Sequence, residues 1–126
     1  MLISTRLKAI AYWEQRFGIR RQRHLLQENP HISALFCVND DVGSHAIRAV
    51  NALGKRVPAD VSVIGYDDTY IAVNTHPPLT TMHVDTTAMG RAAVHLLALR
   101  LANPEAARMT LTVHTILIER ESVGAG

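Results

Sequence analysis

The sequence has 126 residues, enough for one domain with a single buried core. Its 48% hydrophobic and 19% charged residues are typical of a globular chain and exclude a disordered one. No apolar run approaches the roughly 20 residues of a membrane-spanning helix, and the first residues lack the apolar core of a secretory signal. The net charge is +2, and the single cysteine, Cys37, cannot form an internal disulfide. We therefore expect a cytoplasmic protein.

The positive charge is concentrated early, among arginines and a lysine between residues 6 and 23. A basic cluster of this kind could contact nucleic-acid phosphates. However, neither a helix-turn-helix pattern nor interleaved aromatic residues accompany it. A solvated helix face is the favoured interpretation, so we do not expect this chain to bind nucleic acid by itself.

The first half of the chain predicts alternating helices and strands. Apolar spacing predicts a helix over residues 5–28, interrupted at Gly18 and ended by Asn29 and Pro30. Residues 34–38 form a short apolar run that is typical of a buried strand. A helix over 41–53 and a β-branched strand over 61–66 follow. A strand, a helix and a strand at this spacing predict two parallel strands joined by a right-handed crossover.

The second half is predicted to continue with a loop over 67–79, a short strand over 80–84, a helix over 87–101 and a β segment over 110–118. We expect this last helix to bury an apolar stripe: Met89, Ala93, Leu96, Leu97 and Leu101. The predicted class is α/β.

Polar clusters follow both apolar strands: Asn39, Asp40 and Asp41 after the first, and Asp67 and Asp68 after the second. Because ligands of parallel sheets bind beyond the carboxyl ends of the strands, both clusters should face one crevice. Carboxylate acceptors beside an amide suit a neutral polyhydroxylated ligand. Two alternatives stay open. Asp40 or Asp41 would cap the following helix, the favoured interpretation of Asp40, and for Asp67 ligand contact and an Asx-turn are equally favoured.

Other chemistry is disfavoured. An acidic magnesium pocket of the phosphoacceptor-receiver kind needs a lysine at the end of a late strand, and Lys8 and Lys55 are the only lysines. The seven histidines show no metal-ligand spacing, and no serine lies in a G-x-S-x-G context. We therefore predict no enzyme, no metal and no cofactor.

Four segments carry a resemblance to a known family: ISALFCVND at residues 32–40, VPADVSVIGYDD at 57–68, PPLTT at 77–81 and LIERES at 117–122. From about residue 30 onward, their order and spacing are similar to the carboxyl-terminal part of the effector-binding domain of LacI/GalR-type transcriptional regulators. The resemblance implies a type I periplasmic-binding-protein-like fold, in which a cleft between two α/β lobes holds a sugar or a related small molecule.

In such regulators the effector shifts the relative orientation of the lobes and thereby the operator affinity of a homodimer. The resemblance implies that Asp67 accepts hydrogen bonds from ligand hydroxyls and that Asn39 orients another hydroxyl. Lys8 stands where the family commonly has an arginine that reaches the effector, although lysine lacks the planar guanidinium. Residues 41–53 and 69–74 would lie toward the partner subunit.

The resemblance further implies that residues 1–126 form a single partial effector-binding domain. Residues 30–82 and 110–122 would form the core of the carboxyl-terminal lobe, and 85–103 a helix of the other lobe. No helix-turn-helix domain is seen, so DNA would be bound only through a domain absent from this chain, and the sequence looks truncated.

Two consequences of a truncated domain are expected. The helix over 87–101 should have a partly uncovered apolar stripe that drives dimerisation or repacking, and sugar affinity should be weak or undetectable. The alternatives are a sugar-binding transport-type protein of the same fold, disfavoured by the missing export signal, and a remnant that binds nothing.

Overall fold

The computed structural model describes residues 18–124 and the backbone of residues 7–9. The chain divides into two compact units. Unit 1 comprises Met1–His83 and Leu117–Gly126, and unit 2 comprises Val84–Ile116. In chain order, the helices and strands are β1 Leu7–Ala9, α1 Gly18–Glu28, β2 Ala34–Phe36, α2 Asp40–Ala52, β3 Ser62–Ile64, α3 Tyr70–Asn74, β4 Thr81–His83, α4 Thr86–Ala102 and β5 Ile116–Ile118.

A parallel sheet in the order β1-β2-β3 forms the centre of unit 1. Leu35 of β2 is aligned with Lys8 on one side and with Val63 on the other. The predicted parallel pair, joined through α2, is confirmed. The helix predicted over 5–28 is confirmed at α1, where Gly18 has φ +34° at the first helical position, and is wrong at β1. Its remaining residues lie outside the described part of the chain.

Apolar side chains of α2, β2 and β3 form the core of unit 1. Helix α2 places Ala46, Ile47 and Val50 at helical spacing on one face, and all three are buried. Gln22 of α1 donates from Nε2 to the carbonyl of Val42 at 3.0 Å, which links the two helices. The buried apolar residues are Leu26, Ile32, Leu35, Cys37, Ala46, Ile47, Ala49, Val50, Val61, Val63, Ala72 and Leu79.

Cys37 is a free cysteine whose side chain is buried. Burial, together with the negative charge of Asp40, raises the pKa of Cys37 to about 12. Because the thiolate is the reactive form, this cysteine is chemically inert at neutral pH.

Two stretches differ from the prediction. The loop predicted over 67–79 contains helix α3, because Ala72 is buried and its carbonyl accepts from Leu79 N at 2.8 Å. The β segment predicted over 110–118 is a strand only at β5, which forms a second sheet with β4. Residues 110–115 have no regular structure, since a β-branched run without a ladder partner has nothing to hold it extended.

Unit 2 contains helix α4. The carboxylate of Asp85 caps the helix by accepting from Ala88 N at 2.7 Å. The predicted burial of its apolar stripe is wrong, since no residue of α4 is buried and Leu97 is 58% exposed. The stripe is partly uncovered, as expected for a partial domain: Leu96 is half-buried, and the other four residues of the stripe are exposed. In the described part of the chain, no helix is both long and apolar enough to cross a membrane.

Candidate functional site

The carboxyl end of β2 leads directly into the start of α2. Asn39 is the N-cap of that helix, and its Oδ1 accepts from Val42 N at 2.9 Å. The favoured interpretation of Asp40 as the cap is therefore wrong, because Asn39 has the extended backbone that a capping residue needs and Asp40 is already helical. The cap uses Oδ1 of Asn39, and the amide Nδ2 of this residue can act only as a hydrogen-bond donor.

Asp40 instead ties the two predicted clusters together. Its carboxylate, 1% exposed, accepts from the backbone N of Thr69 at 2.6 Å and from the hydroxyls of Thr69 and Thr81 at 3.0 and 2.5 Å. Asp40 follows β2 and Thr69 follows β3, so these bonds hold the two strand ends close to one another. The expectation that both clusters share one edge of the sheet is confirmed.

Gly65 makes this approach possible. A Cβ at that position would collide with Oδ1 of Asp40 and would lie 2.8 Å from Cδ2 of Leu79. The glycine of the GYDD segment is therefore required by close packing.

Asp67 lies beyond β3 with its side chain exposed and its backbone at φ +97°. Its backbone N donates to the carbonyl of Met82 at 2.9 Å, which attaches this residue to β4. Partial burial is the larger cause that raises the pKa of Asp67 above its ordinary value, and the negative charge of Asp40 is the second. Among residues 18–124, no side chain donates a hydrogen bond to this carboxylate or forms an ion pair with it.

Asp68 has the same side-chain chemistry and a different environment. Its Oδ1 accepts from Nη2 of Arg120 at 2.6 Å, and its Oδ2 lies 3.0 Å from Nδ1 of His83. The hydrogen bond from Arg120, with a further bond from His83, lowers the pKa of Asp68. The carboxylate of Asp68 is therefore bound within the protein, whereas the side chain of Asp67 is exposed.

Arg120 and Ser122 are structural residues of this region whose roles do not follow from periodicity or from the polar clusters. Arg120 also donates from Nη1 to the carbonyl of Leu79 at 2.8 Å. Ser122 is fully buried, donates to the carbonyl of Val63 at 2.5 Å and accepts from Thr80 N at 2.8 Å. Both residues belong to the LIERES segment at residues 117–122, which is one of the four segments that carry the family resemblance.

The third predicted ligand residue, Lys8, lies in β1, where the register pairs it with Leu35. Its side chain lies outside the described part of the structure, and its predicted ligand contact stays a prediction. Within residues 18–124, no group of three His, Cys, Asp or Glu side chains is placed to hold a metal ion.

Comparison with known proteins assigns this arrangement to a family. Residues 2–123 match the model of the periplasmic binding protein-like domain. The chain belongs to this family. The match spans nearly the whole chain and explains the parallel sheet with its flanking helices.

Individual relatives are LacI-type regulators, which confirms the resemblance. The chain is 38% identical over 105 residues to the HTH-type transcriptional regulator CelR of Thermobifida fusca, covering 83% of this chain and 31% of CelR. It is similar to the solved complex of a transcriptional regulator CelR with cellobiose, with a TM-score of 0.78, 38% identity and coverage of 83% of this chain and 32% of that one.

A second similar structure is the lac repressor dimer bound to operator and the anti-inducer ONPF. Its TM-score is 0.78 and its identity 32%, over 91% of this chain and 40% of that one. The chain spans about a third of the length of the curated relative that it matches, and it corresponds to the effector-binding region of these regulators.

Proposed function

We propose that this chain is the effector-sensing part of a cytoplasmic DNA-binding transcriptional regulator and that its effector is a sugar or a related polyhydroxylated molecule. The observation that carries the proposal is the contrast at the edge of the sheet: Asp68 is held by Arg120 and His83, whereas the neighbouring Asp67 is exposed. An exposed carboxylate beside the end of a parallel strand is an acceptor for adjacent sugar hydroxyls.

Three residues are assigned to the ligand. Asp67 accepts from hydroxyls, the Nδ2 of Asn39 donates to a ligand oxygen, and Lys8 contributes a positively charged donor. The fold of the relatives, one of them solved with cellobiose, supports a sugar as the ligand. Residues 30–82 and 110–122 are proposed to form the core of the carboxyl-terminal lobe, and residues 85–103 a helix of the other lobe.

Cellobiose and lactose, titrated into the 126-residue chain with ¹H–¹⁵N NMR detection, test this function. We expect binding at about 1 mM or weaker, because only part of a cleft is present. The amide signals of Asn39 and Asp67 should shift on titration. Asp67→Ala should abolish the shifts, and Asp60→Ala, which removes an exposed carboxylate from the Arg56 ion pair, should leave them unchanged. Unperturbed Asn39 and Asp67 signals at tens of millimolar sugar would favour the non-binding remnant.

Homodimerisation through α2 and residues 69–74 is proposed as well. Helix α3 presents Tyr70 and Val73, which are 79% and 53% exposed, next to α2. Large exposed apolar side chains that lie together are typical of interaction surfaces, and the lac repressor structure is a dimer. Sedimentation velocity should show a concentration-dependent dimer that Tyr70→Glu dissociates. A chain that remains monomeric at high concentration would contradict this assembly.

A further inference from the structure

Two consecutive non-glycine residues at the end of β3 adopt left-handed backbone conformations. Asp67 has φ +97° and Asp68 has φ +54°. A side chain with a Cβ adopts this region at a cost in free energy, and such residues persist only where their surroundings hold them. The loop therefore needs a specific set of contacts to stay in this shape.

Asp68 receives those contacts. Both of its carboxylate oxygens are used, one by Arg120 at 2.6 Å and the other by His83 at 3.0 Å. The side chains of Asp68 and Arg120 are each 17% exposed, so their hydrogen bond is shielded from most of the solvent. Charge-assisted bonds of this kind are about twice as strong as neutral ones.

Two other hydrogen bonds fix the position of Arg120. Its Nη1 donates to the carbonyl of Leu79, and its backbone N donates to Oγ1 of Thr80 at 2.9 Å. The guanidinium therefore bonds to the main chain at Leu79 and to the side chain of Asp68 at the same time. The planar fork of arginine suits this double role, which a lysine would not fill.

We propose that Asp68, Arg120 and His83 form a positioning cluster that keeps the strained loop in place and so aims the exposed carboxylate of Asp67 at the ligand. This inference rests on the function proposed above for Asp67. Arg120 and His83 are positioning residues here and need not touch the ligand.

Amide hydrogen exchange tests the cluster without any ligand. The amide of Asp67 donates to Met82 O and reports on the loop, and the amide of Cys37, which donates to Ile64 O at 2.8 Å, reports on the core. Arg120→Gln should speed exchange at Asp67 about tenfold or more, because a hydrogen bond to a charged group is lost, with Cys37 unchanged. The matched control is Arg56→Gln, which removes an exposed ion pair and should change either rate by no more than about twofold.

A glycine–alanine pair separates positioning from general stabilisation. Asp68→Ala and Asp68→Gly both remove the carboxylate, but only alanine keeps the Cβ that disfavours a left-handed backbone. We expect exchange at Asp67 to be roughly tenfold faster in Asp68→Ala than in Asp68→Gly. This pair also decides the question if Arg120→Gln fails to fold.

The results separate cleanly. The cluster is supported if exchange in Arg120→Gln is faster at Asp67 alone and if exchange at Asp67 is slower in Asp68→Gly than in Asp68→Ala. Equal acceleration at Cys37 and Asp67, or equal exchange rates in the two Asp68 variants, overturns it.

Cellobiose titration is a separate readout. If the wild-type chain binds cellobiose and Arg120→Gln binds it equally well, positioning is wrong. If the wild-type chain does not bind, the proposed function fails and the exchange data alone decide the role of the cluster.

Discussion

Helices α2 and α4 begin in the same way and lie in opposite surroundings. Each starts with a side-chain cap, from Asn39 in α2 and from Asp85 in α4. Of the 13 residues of α2 six are buried, and of the 17 residues of α4 none is buried. The local signals that start a helix are therefore independent of whether the helix finds a partner.

The difference lies in how the apolar residues are arranged. In α2 they occupy one face, which packs on β3. In α4 they are spread around the helix and remain exposed, as Val94 at 69% and Leu101 at 72% illustrate. A helix that is apolar on all sides is typical of surroundings that cover it on all sides. Two of the predictions below, on truncation of apolar side chains and on the helix caps, test whether the two helices differ in this way.

The largest effect is expected from truncating a core residue of α2. Ile47 is 2% exposed, so Ile47→Ala should lower the free energy of unfolding by about 2–5 kcal/mol through lost burial and a residual cavity. Its counterpart Leu97→Ala should change stability by no more than about 0.5 kcal/mol. Urea unfolding monitored by circular dichroism measures both. A loss of more than about 1 kcal/mol in Leu97→Ala would mean that α4 is covered in solution.

The next effect concerns the charges of unit 1. The lowered pKa of Asp68 stabilises the fold above its ordinary pKa of 3.8, and this contribution is lost as the pH falls through its lower folded pKa. At pH 7 Asp68→Asn should cost about 1.5–3 kcal/mol, and the difference from wild type should shrink in strong acid.

For Asp67, the contribution of the pKa shift to stability has the opposite sign. Its raised pKa means that the charged form disfavours folding, and this cost is relieved as the pH falls from the raised value toward 3.8. Asp67→Asn should therefore leave stability at pH 7 unchanged or slightly higher. Urea unfolding at neutral and acidic pH compares the two variants. Equal losses at pH 7 would contradict the separate environments of these neighbouring carboxylates.

The smallest effect is expected from the caps that the two helices share. Asn39→Ala and Asp85→Ala each remove one hydrogen bond to the start of a helix, worth about 1 kcal/mol. Loss of the α2 cap should appear in cooperative unfolding of unit 1. Loss of the α4 cap should appear only as faster amide exchange in the first turn of α4, at Ala88. If both caps change the cooperative unfolding equally, α4 is part of the same packed structure.

Periodicity and turn residues predicted the parts of the fold that depend on local signals. The strand–helix–strand unit was predicted because β2, α2 and β3 carry their apolar pattern in a single run. Helix α3 was missed because its five residues are too few to show a period, and its position depends on Leu79. Residues 110–115 were assigned to a strand on composition, which does not reveal whether a neighbouring strand is present.

The candidate site was predicted in outline only. The position of Asp67 follows from the strand that precedes it and from the family resemblance. The roles of Asp40 and Arg120 depend on partners far away in the sequence, which periodicity does not show. Asn39 is the cap and Asp40 is not, because a shift of one residue in the start of the helix changes which side chain reaches the free N–H groups.

The hydrogen bonds of Asp40 have a consequence for the order of folding. They join Asp40 to Thr69 and Thr81, which lie 29 and 41 residues further along the chain. Closing loops of that length costs entropy before any bond is gained, so contacts of high sequence separation tend to be late events. We expect Asp40→Asn to accelerate unfolding far more than it slows refolding. The edge of the sheet that we propose for the ligand would then be among the last parts of unit 1 to assemble and the first to open.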